Sequence, residues 1–143
     1  MNTLSEEERG TLRDAVHKLM ADANSEAEVR RVMETESGFD PGLWTQLGEM
    51  GVIGLIVDEQ HGGSGVGPLE VEAVMEEAGA ALLSSPLLAS GVVAAALLQA
   101  LNNEAASKRL LPGIATGRTI ATAVMTGTAG TWTGRCNSLC RTV

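Results

Sequence analysis

The chain contains no tyrosine and only three aromatic residues, Phe39, Trp44 and Trp132. Its core must be filled by Ala, Leu, Val and Met, which favours close helix packing over an all-β sandwich, whose strands draw on aromatic and β-branched residues. Basic residues are also scarce: 10 Lys and Arg stand against 18 Asp and Glu, for a net charge of -8. A nucleic-acid binder needs a basic face to displace counterions from phosphates, so that class is set aside. The two cysteines, Cys136 and Cys140, both fall in the last eight residues. With no second His or Cys pair nearby they make no zinc signature, and a reduced, incidental pair is expected. The start, Met1 to Glu8, lacks a basic stretch followed by an apolar one, so no secretory signal is read there and a cytoplasmic location is expected.

What is present is ordinary in amount and uneven in placement. The 143 residues are 44% hydrophobic and 20% charged, the size and balance of one globular domain. Residues 1–78 hold five basic and seventeen acidic side chains, a charge of -12, whereas residues 79–143 hold five basic and one acidic, a charge of +4. The acidic half reads as a solvated helical surface. Between Ala78 and Leu101 no side chain is charged. Ser84, Ser85, Pro86, Ser90, Gly91 and Gln99 interrupt that stretch, so it reads as a helix buried in a bundle and not as a membrane span.

Ser5 and Glu8 form a capping box ahead of an amphipathic helix from about Glu6 to Ala23, with Leu12, Val16, Leu19 and Met20 on one face. Ser25 and Glu28 repeat the box before a shorter helix bearing Val29, Val32 and Met33. Asp40 and Pro41 start a third helix whose face is Leu43, Trp44 and Leu47 and which Gly51 ends. Val52–Val57 is a short apolar run, and His61–Pro68 (HGGSGVGP) is a glycine-rich loop. Its spacing is neither a dinucleotide nor a Walker loop, so a tight structural turn is expected. Pro68 opens a helix with Val71, Val74, Met75, Ala78 and Leu82 in a stripe and Glu70, Glu72, Glu76 and Glu77 on the solvated side. Pro86–Leu101, apolar nearly all round, is expected at the centre of the bundle. Asn103 caps a last helix that Pro112 and Gly113 are expected to stop. Thr119–Thr126 then alternates as a strand would. His17 and His61 read as solvated or hydrogen-bonded histidines.

Residues 43–67, LWTQLGEMGVIGLIVDEQHGGSGVG, resemble the acyl-CoA dehydrogenase segment LW-x-x-LGE-x-G-x-x-GL-x-x-PE-x-x-GGSG. EVEAVMEEAGAA at 70–81 and LLPGIATGRTIATAVMT at 110–126 are similar to the family's next helix and to its passage into the first strand of the middle β-domain. The resemblance runs from about Leu4 to Thr133. It implies a mainly α fold, a bundle of about six helices ending in a short β-segment. The implied division is an N-terminal helical domain at 1–118, the first strand of a truncated β-domain at 119–133, and an unrelated loose tail at 134–143, attributed to a frameshift or truncation.

The family oxidises acyl-CoA thioesters to 2-enoyl-CoA with FAD. A glutamate base takes the α-proton, and the β-hydrogen leaves as hydride to the flavin. The resemblance places that glutamate and most flavin contacts beyond Val143, so it assigns no catalytic residue and no metal here. It carries over Met125 and Thr126 as flavin contacts, and Leu87, Val92 and Ala95 as walls of the acyl-chain cavity. Departures are Asp58 where many members have Pro, and Gly127-Thr128 where they have Glu-Pro after the threonine. Acyl-CoA dehydrogenase chains are the implied partners, in a homo- or hetero-oligomer, with neither nucleic acid nor membrane. The alternative is a noncatalytic helical interaction subunit or an inactive fragment. Fatty and sterol side-chain thioesters, and the electron acceptor, are not distinguished by these residues. A helical domain that normally packs on two others exposes apolar faces, so the purified chain is expected to self-associate; a sharp monomeric peak in size-exclusion chromatography with a cooperative melt would contradict this.

Overall fold

The computed structural model describes residues 3–124. Six α-helices lie among them: α1 (Glu6–Ala23), α2 (Glu26–Met33), α3 (Pro41–Glu49), α4 (Pro68–Ala80), α5 (Ala95–Ala100) and α6 (Glu104–Ala115). A 3₁₀ turn, Glu59–His61, precedes α4, and a π-helical segment, Leu87–Ala94, runs straight into α5.

Local chemistry sets most of the ends. The Ser5 hydroxyl accepts the Glu8 N–H while the Glu8 carboxylate accepts the Ser5 N–H, which holds the Glu8 carboxyl below the ordinary carboxylate range. Ser25 caps α2 in the same way, but only half of the expected box forms, because the Glu28 carboxylate accepts from Arg31 instead. Asp40 accepts the Leu43 N–H at 2.8 Å and faces Arg31 at 2.7 Å; that backbone bond, with the ion pair beside it, lowers the Asp40 pKa. At the other end of α3, Gly51 at φ +76° donates to Gly48 O and Val52 donates to Leu47 O, the paired bonds of a Schellman motif.

The helices bury two cores on either side of a non-helical strap, residues 52–57. Val16 and Met20 of α1, Leu43, Trp44 and Leu47 of α3, and Val74 of α4 enclose Val52, Ile53 and Leu55 in the first. Ala94, Ala95 and Leu98, with Leu111, Ile114 and Ala115 of α6, enclose Val57 in the second. A buried strap without helical bonds must find partners for its peptide groups elsewhere. The glycine loop supplies them: Ser64, Val66 and Gly65 donate to the carbonyls of Gly54, Leu55 and Val57. Gln99 completes the set, its Nε2 donating to Ile56 O at 3.0 Å and its Oε1 accepting from Asp58 N at 2.9 Å. The loop comes so close that a Cβ on Gly63 would lie 2.1 Å from Val57 O.

Three expectations are corrected and one, the terminal strand, is not seen among the described residues. Leu87–Ala100 is not central all round: Leu87, Ser90, Gly91, Ala94, Ala95 and Leu98 are buried, but Leu88, Ala89, Ala96 and Ala100 face outward. α6 runs through Pro112 to Ala115, because burial of Leu111, Ile114 and Ala115 holds its last turn and the ring costs one backbone bond there. Residues 120–124 are extended in sequence pattern but pair with no strand among the described residues, and a strand needs a partner for its ladder. The rest of the expected strand, from Met125 onward, lies outside the described residues.

The third correction concerns Glu70. Expected on the solvated face of α4, it is 0% exposed. α1 lies parallel to α4 and covers it: Glu70 Oε1 accepts the Leu4 N–H at 3.0 Å and lies 3.7 Å from Arg9 Nε. Farther along the same interface Arg13 pairs with Glu76, His17 with Glu77 at 2.8 Å, and Asn24 Nδ2 donates to Ala81 O at 2.7 Å. Glu70 Oε2 and Arg9 Nε have no hydrogen-bond partner among the described residues. Removing one member of such a pair leaves the other charge badly solvated. Glu70→Ala is expected to cost about 3 kcal/mol in urea unfolding, at the low end for buried pairs because Arg9 reaches solvent, and Glu70→Gln less; a Glu70→Ala midpoint equal to the parent's would contradict this placement.

Candidate functional site

The apolar residues that α4 and the π-helical segment leave uncovered meet the outer side of α2 in one open trough of about 660 Å³. Its floor is Met75, Ala78 and Gly79 of α4 with Leu87, and its rims are Val29 and Met33 of α2 and Leu82 to Leu88. Met33 is 73% exposed, Leu82 72% and Leu88 53%. The volume lies within the range of small-molecule sites, and the lining is mostly hydrocarbon.

The bend after α4 shapes this trough. Leu82 sits at φ +52°, a left-handed conformation that costs a branched residue roughly 1–2 kcal/mol. Two bonds hold it there, Leu82 N to Gly79 O at 3.0 Å and Leu83 N to Ala78 O at 2.9 Å. Ser84 Oγ then donates to Gly38 O at 2.5 Å, and Ser85 Oγ accepts the Leu87 N–H at 3.3 Å. The bend is thus fixed at both ends, with the Leu82 side chain turned to solvent.

The three cavity residues named from sequence do not share one surface. Leu87 is in the first core, between the trough and a small void that it lines with Val52, Leu55, Val74, Gly91 and Val92. The void is about 10 Å³, room for one water-sized body and not for a hydrocarbon chain. Val92 borders that void and is half-buried. Ala95 is fully buried in the second core, away from both. Met125 and Thr126, the expected flavin contacts, lie outside the described residues. Leu82 and Leu88 were missed, because an apolar residue at helical spacing reads as core until the neighbouring elements are known.

A second depression, about 200 Å³ and polar, lies between the 3₁₀ turn and the α5–α6 corner, lined by Asp58, Gln60, His61, Gln99, Asn102, Glu104 and Ser107. Its best-placed amide, Gln99, is already spent on the strap. The groups whose pKa is shifted, Glu8, Asp40 and Arg31, belong to helix caps and ion pairs and not to the trough. Residues 3–124 therefore offer an apolar wall. No helix among them is long and apolar enough to cross a membrane.

Comparison with known proteins agrees with this arrangement. The family described as acyl-CoA dehydrogenase, N-terminal domain, matches residues 6–118. The acyl-CoA dehydrogenase IpdE2 of Mycolicibacterium smegmatis is 41% identical over 93 residues, which are 64% of this chain and 30% of that protein. Among solved structures, the ChsE4-ChsE5 complex from Mycobacterium tuberculosis superimposes with a TM-score of 0.79 at 27% identity, over 92% of this chain and 36% of that one. The Tcur3481-Tcur3483 steroid ACAD G363A variant gives 0.75 at 30% identity, over 85% and 33%. The chain spans about a third of the length of the proteins it matches. It belongs to the acyl-CoA dehydrogenase family, and its described helices are that family's N-terminal domain.

Proposed function

We propose that the chain is the helical N-terminal part of an FAD-dependent acyl-CoA dehydrogenase acting on a fatty or sterol side-chain thioester. In this reading it walls the acyl-chain cavity and packs against the domains that hold the flavin and the base. The observation that carries the proposal is the uncovered apolar surface of Met33, Leu82 and Leu88, set beside the family match over residues 6–118. A contiguous apolar surface of that kind marks a site that something else covers. Of the three residues named from sequence, Leu87 is the one proposed to face the cavity, as part of the trough lining; Val92 borders the small void and Ala95 belongs to the second core.

Bound FAD would accept the hydride. What this chain contributes is shape and exclusion of water, since a dry hydrocarbon wall strengthens the electrostatics that stabilise an enolate. Met125 and Thr126 are proposed to approach the flavin, and the remaining contacts fall to sequence beyond this chain. Two of the similar structures are named for pairs of gene products, ChsE4-ChsE5 and Tcur3481-Tcur3483, which supports a second acyl-CoA dehydrogenase chain as partner.

A domain graft tests the reading. Residues 6–118 replace the matching segment of M. smegmatis IpdE2, and the product is expected to retain the flavin absorption band and to bleach on addition of acyl-CoA. In that graft Leu88→Trp, which narrows the trough, is expected to raise KM for the acyl-CoA at least tenfold with the flavin content unchanged. A folded graft that holds no flavin would overturn the proposal, and an unchanged KM would remove Leu88 from the cavity.

A further inference from the structure

Two polar side chains in the apolar interior have no part in the trough, and both reach the same stretch of backbone. Ser90, in the middle of the π-helical segment, is 0% exposed, and its Oγ accepts the Ala121 N–H at 3.1 Å. Trp44, in the first core, donates from Nε1 to Gly117 O at 2.8 Å. The two bonds cross sequence separations of 31 and 73 residues and seize the segment after α6 at both ends. Nothing else in residues 87–98 is polar, so the hydroxyl of Ser90 is not general solubility. A buried peptide N–H that loses its acceptor is costly, and Ala121 is itself buried.

The surroundings leave this segment little freedom. Gly117 turns at φ +72°, and a Cβ there would lie 2.7 Å from Ile53 Cδ1 and 3.1 Å from Trp44 Nε1. Beside Ser90, Gly91 lets the strap pass, since a Cβ would sit 2.8 Å from Ile53 O. Thr119 N donates to Gly113 O at 3.0 Å, folding the segment back over the end of α6. Wide π-helical turns recur at functional positions, and here the widened turn carries the acceptor.

We infer that Ser90 and Trp44 form a two-point clamp that fixes residues 117–121 on the helical body, making both of them positioning residues for the chain beyond α6. The clamp is read from residues 44–121 alone. Its bearing on the flavin rests on the proposed function, because only in that reading does Met125–Thr126 face the cofactor. Ser90 touches neither substrate nor flavin; it acts through the backbone it holds.

Amide hydrogen exchange on the 143-residue chain tests the clamp. Ser90→Ala is expected to speed exchange at Ala121 at least tenfold while amides in α1 and α4, such as those of Val16 and Val74, keep their parent rates. Ser90→Thr, which restores an acceptor, is expected to recover the protection. Acceleration spread evenly over all helices, or none at Ala121, would overturn the clamp. The second arm uses the IpdE2 graft extended to residue 126, with the visible circular dichroism of bound FAD and kcat and KM as readouts. Ser90→Ala is expected to alter the flavin signal and lower kcat with KM unchanged. Selective exchange with a parental flavin signal and parental kcat would overturn the positioning role. A graft that holds no flavin would overturn the proposed function while the exchange result still decides the clamp.

Discussion

The arrangement depends on the buried strap of residues 52–57. It is a non-helical segment that contributes to both cores, with Val52, Ile53 and Leu55 in the first and Val57 in the second. Its peptide groups could not be buried without partners, and the glycine loop and Gln99 provide them. Several backbones then pass at van der Waals distance: that of Gly63 over Val57, that of Gly91 against Ile53 O, and that of Gly54 against Ala115. Helices pack closely around the strap because the contacts are small, which agrees with a chain that has almost no aromatic residues to spend.

Around that strap the molecule separates holding from presenting. α1 is joined to α4 by Glu70, the Arg13 and His17 pairs, and Asn24, so one flank of α4 is closed. The C-terminal end of α4 and the outer side of Leu87–Ala100 stay open and apolar. A helical layer sealed on one side and bare on the other is the arrangement that the proposed packing against further domains requires. In the glycine loop the N–H groups of Ser64, Gly65 and Val66 are spent inward on the strap, where an anion site would turn them outward.

Features decided by neighbouring residues were legible in the sequence. Ser5 with Glu8, Asp40 with Pro41, Gly51 and Pro68 mark the helix ends where the structure has them, and Leu43, Trp44 and Leu47 form the buried face that their spacing requires. Features decided by distant residues were not. Glu70 looks like its neighbours Glu72 and Glu76 until α1, more than sixty residues earlier, covers it. Pro112 signals a helix end, and burial of Ile114 and Ala115 outweighs it. Thr119–Val124 has the alternation of a strand, yet alternation supplies no partner. Ser90 and Gln99 were visible as lone polar residues in an apolar run, a signal that could have been read as buried hydrogen bonding. For the site, the spacing names Leu87, Val92 and Ala95 together, and only the packing separates Leu87 in the trough lining from Val92 beside the void and Ala95 in the second core.

Two glycine substitutions compared by thermal melting test the strap's role directly. Gly10 lies inside α1 with open space where a Cβ would go, and alanine there is expected to stabilise by about 0.5–1 kcal/mol. Gly63 has Val57 O 2.1 Å from the same position. The account expects Gly10→Ala to raise the midpoint of the far-ultraviolet circular dichroism melt and Gly63→Ala to lower it sharply or abolish the cooperative transition. A Gly63→Ala chain that melts at the parent's temperature would contradict the claim that the helices are held together through this strap.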